Sequence, residues 1–269
     1  MSVVGTAKSY ARRADRRLQL ELARSFERRM GIDTVGAEGL TDFGVEGPDR
    51  VYHAASPTIT LRRALKRLDP GPDDVFVDVG SGKGQALLAA AQLPYGRVIG
   101  VELADQMTQV AKRNVERVRP KLTCQNIELL TADALEWEIP SDLTLVYMYC
   151  PFLGSTFDAF IDRVVASHDA NPRPMHVVYA YPFEHNRLVR RDRFHTVDVN
   201  SLNWPTRPGW WDNDKMIVSY KLLADGESPP AANTSGYRQS EALELWSRPN
   251  DIRFELHPPD GEAIYSEPA

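Results

Sequence analysis

The chain predicts an α/β fold: a doubly wound, seven-stranded, mostly parallel sheet behind an N-terminal helical cap. Three observations carry this. Short apolar runs alternate with helical stretches from Val75 to Leu223, the pattern of strands joined by crossover helices. The first run, Val75 to Val79, feeds directly into alternate glycines and a helical stretch. The last two runs have no helical stretch between them, so an antiparallel pair should close the sheet.

Strands are predicted over residues 75–79, 97–102, 127–131, 143–149, 176–180, 194–199 and 216–222, and helices over 85–92, 105–119, 156–167 and 185–191. Ahead of them, residues 1–30 carry eight Lys/Arg against three acids, with Leu18, Leu22 and Phe26 as an apolar stripe on a basic helix. Residues 31–50 are rich in Gly and short polar residues and read as a long loop. Ser56-Pro57-Thr58 then opens a helix that Asp69-Pro70-Gly71-Pro72 breaks. The tail opens with Asp225-Gly226-Glu227-Ser228-Pro229-Pro230 and holds two strand-like pieces, 242–246 and 252–256, that suit a hairpin. The expected divisions are 1–70 (N-terminal helices and a lid segment), 71–223 (the ligand-binding domain) and 224–269 (an acidic tail).

Composition narrows the function classes. At 269 residues, 42 % hydrophobic and 26 % charged, the chain is neither collagen-like nor wholly disordered. No apolar run approaches the roughly 18 residues of a membrane-spanning helix, and no secretory leader is expected from the first residues. Cys124 and Cys150 are too far apart for a CxxC pair and are expected to be reduced thiols of a cytoplasmic protein. No His/Cys/Asp group has ligand spacing, so no metal is expected. A net charge of −5 argues against nucleic acid held on a general basic surface.

The strongest signal is Val75-Phe76-Val77-Asp78-Val79-Gly80-Ser81-Gly82-Lys83-Gly84-Gln85. Glycines let backbone N–H groups approach a ligand where a Cβ would clash. The phosphate-binding pattern G-x-x-x-x-G-K-[ST] fails, with Val77 and Gly84 in place of its Gly and Ser/Thr. The dinucleotide pattern G-x-G-x-x-G fails too, because the third glycine follows the second by two residues. What remains is D-x-G-x-G-x-G. Asp78 would repel a pyrophosphate and suit a ligand bearing an ammonium group.

This stretch resembles motif I of class I S-adenosylmethionine-dependent methyltransferases, and most of all the non-SET-domain histone lysine methyltransferases and their bacterial relatives. The resemblance spans about residues 75–222 and implies a Rossmann-like methyltransferase fold with S-adenosylmethionine as cofactor. It places Asp78 near the methionine ammonium, with Gly80, Ser81, Gly82 and Gly84 forming the turn. Glu102 ends the second strand 24 positions after Asp78, near the spacing of about 20 for an acid that binds a ribose, and can accept both hydroxyls. The family pattern then places Asp133 beside the adenine amino group, with the backbone of Ala134 at the ring. An Asp here also serves well as a helix N-cap.

The acceptor side is expected at the end of the fourth strand, Tyr147-Met148-Tyr149-Cys150-Pro151-Phe152, since ligands gather at the carboxyl ends of strands in open α/β sheets. The stretch resembles the N-P-P-[FY] motif of amino-group methyltransferases, with Cys150 in place of Asn. A thiol is a poor proton acceptor, so nitrogen methylation by that mechanism is in question. Tyr149 can wall a pocket and face the sulfonium. Tyr52 and His53 are candidate catalytic residues, His53 as a base for an oxygen nucleophile, and Thr58 borders the methyl group or its acceptor. Tyr181, His185 and the Trp-rich loop 203–211 are further candidates. The reading is a methyltransferase acting on a small-molecule or peptide substrate. The rivals are a protein lysine or nucleic-acid methyltransferase, a non-catalytic cofactor-binding subunit and a nicotinamide-dependent oxidoreductase.

Overall fold

Strand β1 (Val75–Val79) is buried at every position, as are the first four residues of β4 (Leu145–Tyr149). Parallel strands covered by helices on both faces carry such continuous apolar runs. The structure, a computed structural model, describes Glu21, Arg24, Ser25 and residues 27–34, 58–200 and 217–228. The remaining elements are α1 (Thr58–Arg67), α2 (Gln85–Ala90), β2 (Arg97–Glu102), α3 (Asp105–Val118), β3 (Ile127–Thr131), α4 (Gly154–Ala170), β5 (Met175–Ala180), α5 (His185–Val189), β6 (Phe194–Asn200) and β7 (Ile217–Leu222).

All seven predicted strands form one sheet in the order β3-β2-β1-β4-β5-β7-β6. β1 to β5 run parallel, and β7 is antiparallel to both β5 and β6, so the expected antiparallel pair does close the sheet. The predicted fourth strand begins two residues late, at Leu145, where pairing with Phe76 starts. Leu143 instead closes a turn onto Pro140 O at 3.1 Å.

Each face has its own core. Phe76, Val98, Tyr147 and Val178 pack with Leu61, Ala64 and Leu65 of α1, with α2, and with Val115 of α3. Val77, Ile99, Val146, Met148 and Val177 pack with Phe157, Phe160, Ile161 and Val164 of α4. The doubly wound expectation therefore holds, and α1 belongs to the same core as the sheet. Its last residue, Arg67, grips Asp198 of β6 through both carboxylate oxygens at 2.9 and 3.1 Å.

The chain runs from β1 outward to β2 and β3, then returns to place β4 on the other side of β1. Between the carboxyl ends of β1 and β4 the strand order reverses, and such a switch point leaves a crevice for a ligand. Among the described residues no helix is long and apolar enough to cross a membrane. Tyr52, His53, the Leu18/Leu22/Phe26 stripe, residues 35–57, the Trp-rich loop 203–211 and the tail hairpin lie outside the described residues.

Candidate cofactor site

Asp78 is the penultimate residue of β1 and 3 % exposed. It sits beside Gly100 on β2 and Tyr147 on β4 in register. Burial, reinforced by the Glu102 charge, pushes its carboxyl up to about 8, against a backbone hydrogen bond from Leu87 that lowers it. A carboxyl so placed gains from a cation beside it, since an opposite charge restores the ionised form.

Gly80, Gly82 and Gly84 take φ of +73°, +52° and +85°, the left-handed region that glycine enters without penalty. The loop folds back on β2, where the N–H groups of Gly80 and Ser81 both donate to Val101 O, at 2.9 and 3.1 Å. A Cβ at Gly80 would stand 3.0 Å from Pro151 Cβ, so this first turn also abuts the loop after β4.

Glu102 is the brace. Its Oε2 accepts the Gly82 N–H at 2.8 Å and its Oε1 accepts the Ala104 N–H at 2.9 Å. Burial raises its carboxyl above the ordinary range, while N–H groups of Ala104, Gly82 and Leu103 hold it down. Each oxygen keeps a second lone pair with which to accept from a ligand hydroxyl.

The end of β3 is tied in by Ala132 N–H donating to Glu102 O at 2.9 Å. Asp133 Oδ1 accepts the Leu135 N–H at 2.8 Å, and its carbonyl accepts from Glu136 and Trp137. Asp133 thus closes a turn over 133–137 and not a helix, since none lies between β3 and β4. Arg163 of α4 donates to the carbonyls of Ala134 and Trp137 and fastens this turn from the far side.

Beyond β4, Cys150 adopts φ +44° and its thiol turns into the core. The Tyr179 hydroxyl donates to Sγ at 3.8 Å, and burial pushes the thiol up to about 12. The half-buried Tyr149 meets Tyr181 edge-on, ring centroids 6.5 Å apart. Glu184 Oε1 accepts the Gly154 N–H at 2.7 Å and anchors the loop.

The structure thus gathers Asp78, the three glycines, Glu102, Asp133 and Tyr149 at the carboxyl ends of β1 to β4. Thr58 opens α1, whose neighbours are α2, β6 and β7. His185 is buried in α5, its imidazole pushed down by burial, and its Nδ1 shares a 2.5 Å hydrogen bond with the Tyr220 hydroxyl of β7. Sequence reasoning missed Asn114, Asp33 and Glu184, which act through loop contacts that no motif spacing marks. It also missed Gly100, where a Cβ would stand within 2.9 Å of Leu87, Leu129 and Ser81.

The residues fit S-adenosylmethionine. Beside the buried acids, Gln85 Oε1 at the start of α2 is buried with no hydrogen-bond partner among the described residues, and a buried polar atom left so calls for a ligand or water.

Residues 76–168 match the family described as "Methyltransferase domain". A protein-L-isoaspartate O-methyltransferase from Aeropyrum pernix is 42 % identical over 57 residues, 20 % of this chain and 22 % of that one. A probable ribosomal RNA small subunit methyltransferase A from Methanopyrus kandleri is 31 % identical over 80 residues, 30 % of this chain and 26 % of that one. The chain therefore spans about a quarter of the length of these curated relatives. Among solved structures, an RNA methyltransferase from Salinibacter ruber in complex with S-adenosyl-L-homocysteine has a TM-score of 0.44 at 21 % identity, covering 66 % of this chain and 98 % of that one. The match to a methyltransferase domain thus takes in β1 to β4 and the glycine loop, the part of the fold that holds the buried acids.

Proposed function

We propose that this protein transfers the methyl group of S-adenosylmethionine to an oxygen or nitrogen atom of a small molecule or peptide. The observation that carries the reading is the glycine loop locked onto Glu102 beside the buried Asp78. In this reading Asp78 takes the ammonium end of the cofactor, Glu102 the ribose hydroxyls, and Asp133 with the Ala134 backbone the adenine. S-adenosylmethionine supplies a methyl group already activated by its sulfonium. The protein's own work is then to hold donor and acceptor in line and keep water out. Tyr149 presents an aromatic face to the reacting centre, and Tyr52 and His53 are the proposed polar groups on the acceptor side, His53 taking a proton from an oxygen nucleophile.

The inward-facing Cys150 favours an acceptor that needs no Asn-type carbonyl at this position. An acidic chain favours a small or peptide acceptor over RNA. RNA is the second reading, favoured by relatives that include two ribosomal RNA methyltransferases. A histone-type protein acceptor rests on the loop's likeness to that group alone.

Methyl-labelled S-adenosylmethionine incubated with the chain and separate pools of small metabolites, peptides, protein and RNA tests the proposal. Label in the metabolite or peptide pool supports it. Label confined to RNA or protein replaces the acceptor class. No binding of S-adenosylhomocysteine by calorimetry overturns the whole reading.

A further inference from the structure

A second polar cluster lies where the N-terminal turn meets the glycine loop. Residues 27–30 are helical and stop at Gly31, φ +67°. The N–H groups of Gly31 and Ile32 both return to Glu27 O, at 2.6 and 3.1 Å, a left-handed helix stop. The Glu27 carboxylate folds back as well, accepting the Thr34 hydroxyl at 3.0 Å and the Thr34 N–H. Thr34 is 2 % exposed. Arg117 of α3 donates to Gly31 O at 3.0 Å, and Met30 and Ile32 pack on the apolar core. The turn is braced within itself and docked.

Asn114 of α3, 4 % exposed, joins this turn to the loop. Its Oδ1 accepts the Asp33 N–H at 2.9 Å, and its Nδ2 donates to Asp33 O at 2.6 Å and to Lys83 O at 3.0 Å. Lys83 Nζ lies 3.2 Å from Asp33 Oδ1. The pair is asymmetric: the Lys83 side chain is 7 % exposed and that of Asp33 63 %. Exposed pairs contribute little, but a buried ammonium depends on the groups around it, and Asp33 is one of these.

Lys83 stands between Gly82, held by Glu102, and Gly84, which opens α2. A loop with three left-handed glycines has little rigidity of its own. Glu102 fixes it from the side of β2, and Asn114 and Asp33 fix it from the side of α3. We propose that Asp33 is a positioning residue of the cofactor site: through Lys83 it holds the glycine loop in its binding shape, so the turn 27–34 and the bound cofactor stabilise each other. Such coupling is reciprocal by linkage. The proposal rests on the reading of this loop as an S-adenosylmethionine site.

The test is S-adenosylhomocysteine calorimetry on the full chain, with amide exchange of residues 27–34. Asp33→Ala should weaken binding about ten-fold, within the range of about 5- to 150-fold seen between coupled sites. Its unliganded melting temperature should fall as well, because the buried Lys83 ammonium loses a partner, and the rise in melting temperature that ligand brings should shrink with it. Asp33→Asn, which keeps the side chain's shape, should behave like Asp33→Ala, and Asp33→Glu should restore most of the affinity. In a Lys83→Met background, Asp33→Ala should add nothing. The wild type should show slower exchange at 27–34 once ligand is bound, and Asp33→Ala should not. In turnover, KM for the donor should rise while kcat holds. Wild type that binds, with Asp33→Ala and Asp33→Asn equally tight and exchange at 27–34 unmoved by ligand, would overturn the proposal alone. An Asp33→Ala loss that persists in Lys83→Met would overturn it too. Wild type that binds no ligand would instead remove the cofactor reading itself.

Discussion

Glu102 Oε2 accepts the Gly82 N–H at 2.8 Å, so the acid ending β2 and the middle of the glycine loop form one hydrogen-bonded unit. The carboxylate shapes the loop before any ligand arrives. The acid that the sequence offers as a ribose ligand thus also braces the loop, a role that its spacing does not announce.

Glu102→Ala and Glu102→Gln should therefore fail alike. Both Glu102 oxygens accept backbone N–H groups. A Gln amide would turn a donor toward one of them. Hydrogen bonds to a charged group contribute about 1.5–3 kcal/mol, so affinity for S-adenosylhomocysteine should fall roughly 10- to 100-fold in either variant. Calorimetry checks it. A Gln variant that binds like wild type would show that the second acceptor is dispensable.

The pH dependence follows from Asp78, whose carboxyl is raised to about 8, first by burial and then by Glu102. Between the ordinary Asp range near 4 and about 8, the folded chain holds a proton that the unfolded chain has lost. Stability of the ligand-free protein should thus decline as pH rises through this window, by up to about 1.4 kcal/mol per pH unit, and level off above it. Asp78→Asn removes the titration. Urea unfolding at pH 5 and pH 9 should show the variant gaining on wild type with rising pH. A constant difference between the two proteins would mean that Asp78 is ionised throughout.

Much of the fold was legible because parallel strands are apolar on both faces and turn signals separate them. All seven strands were found, with errors only at their ends, where pairing rather than composition decides the boundary. The clustering of Asp78, the glycines and Glu102 was legible for a different reason: backbone geometry at strand ends sets their places, which leaves a fixed spacing in the chain. Asp33 and Asn114 leave no such trace, being 81 positions apart and joined only by tertiary docking. Cys150 shows a third kind of limit. Its place in the motif suggested an acceptor-facing group, but the left-handed backbone at this residue and the Tyr179 hydroxyl turn the thiol inward.

Gly84→Ala tests the loop from the other end. The residue has φ +85°, and an added Cβ would stand 3.2 Å from Ala111 Cβ on α3. A left-handed non-glycine residue costs roughly 1–2 kcal/mol, and the close neighbour adds to it. The expected outcome is a lower melting temperature together with weaker cofactor binding. Loss of stability with full affinity would separate the loop's shape from its function.

Cys150 supplies the last expectation. Its thiol is 3 % exposed, as is that of Cys124, and burial raises both, Cys150 to about 12. The thiolate is the reactive form, so neither cysteine should react quickly with a disulfide reagent at neutral pH, and both should react after unfolding in urea. Cys150→Ser puts a hydroxyl into this apolar pocket. A buried hydroxyl costs about 1–3 kcal/mol when poorly paired, and the shorter Ser side chain draws back from the Tyr179 hydroxyl and the Phe183 backbone N–H that reach Sγ. The variant should melt earlier while keeping the wild-type KM for S-adenosylmethionine and a kcat within a few-fold, because the thiol faces the core and not the acceptor. A kcat that collapses in a folded Cys150→Ser protein would return Cys150 to the reacting centre.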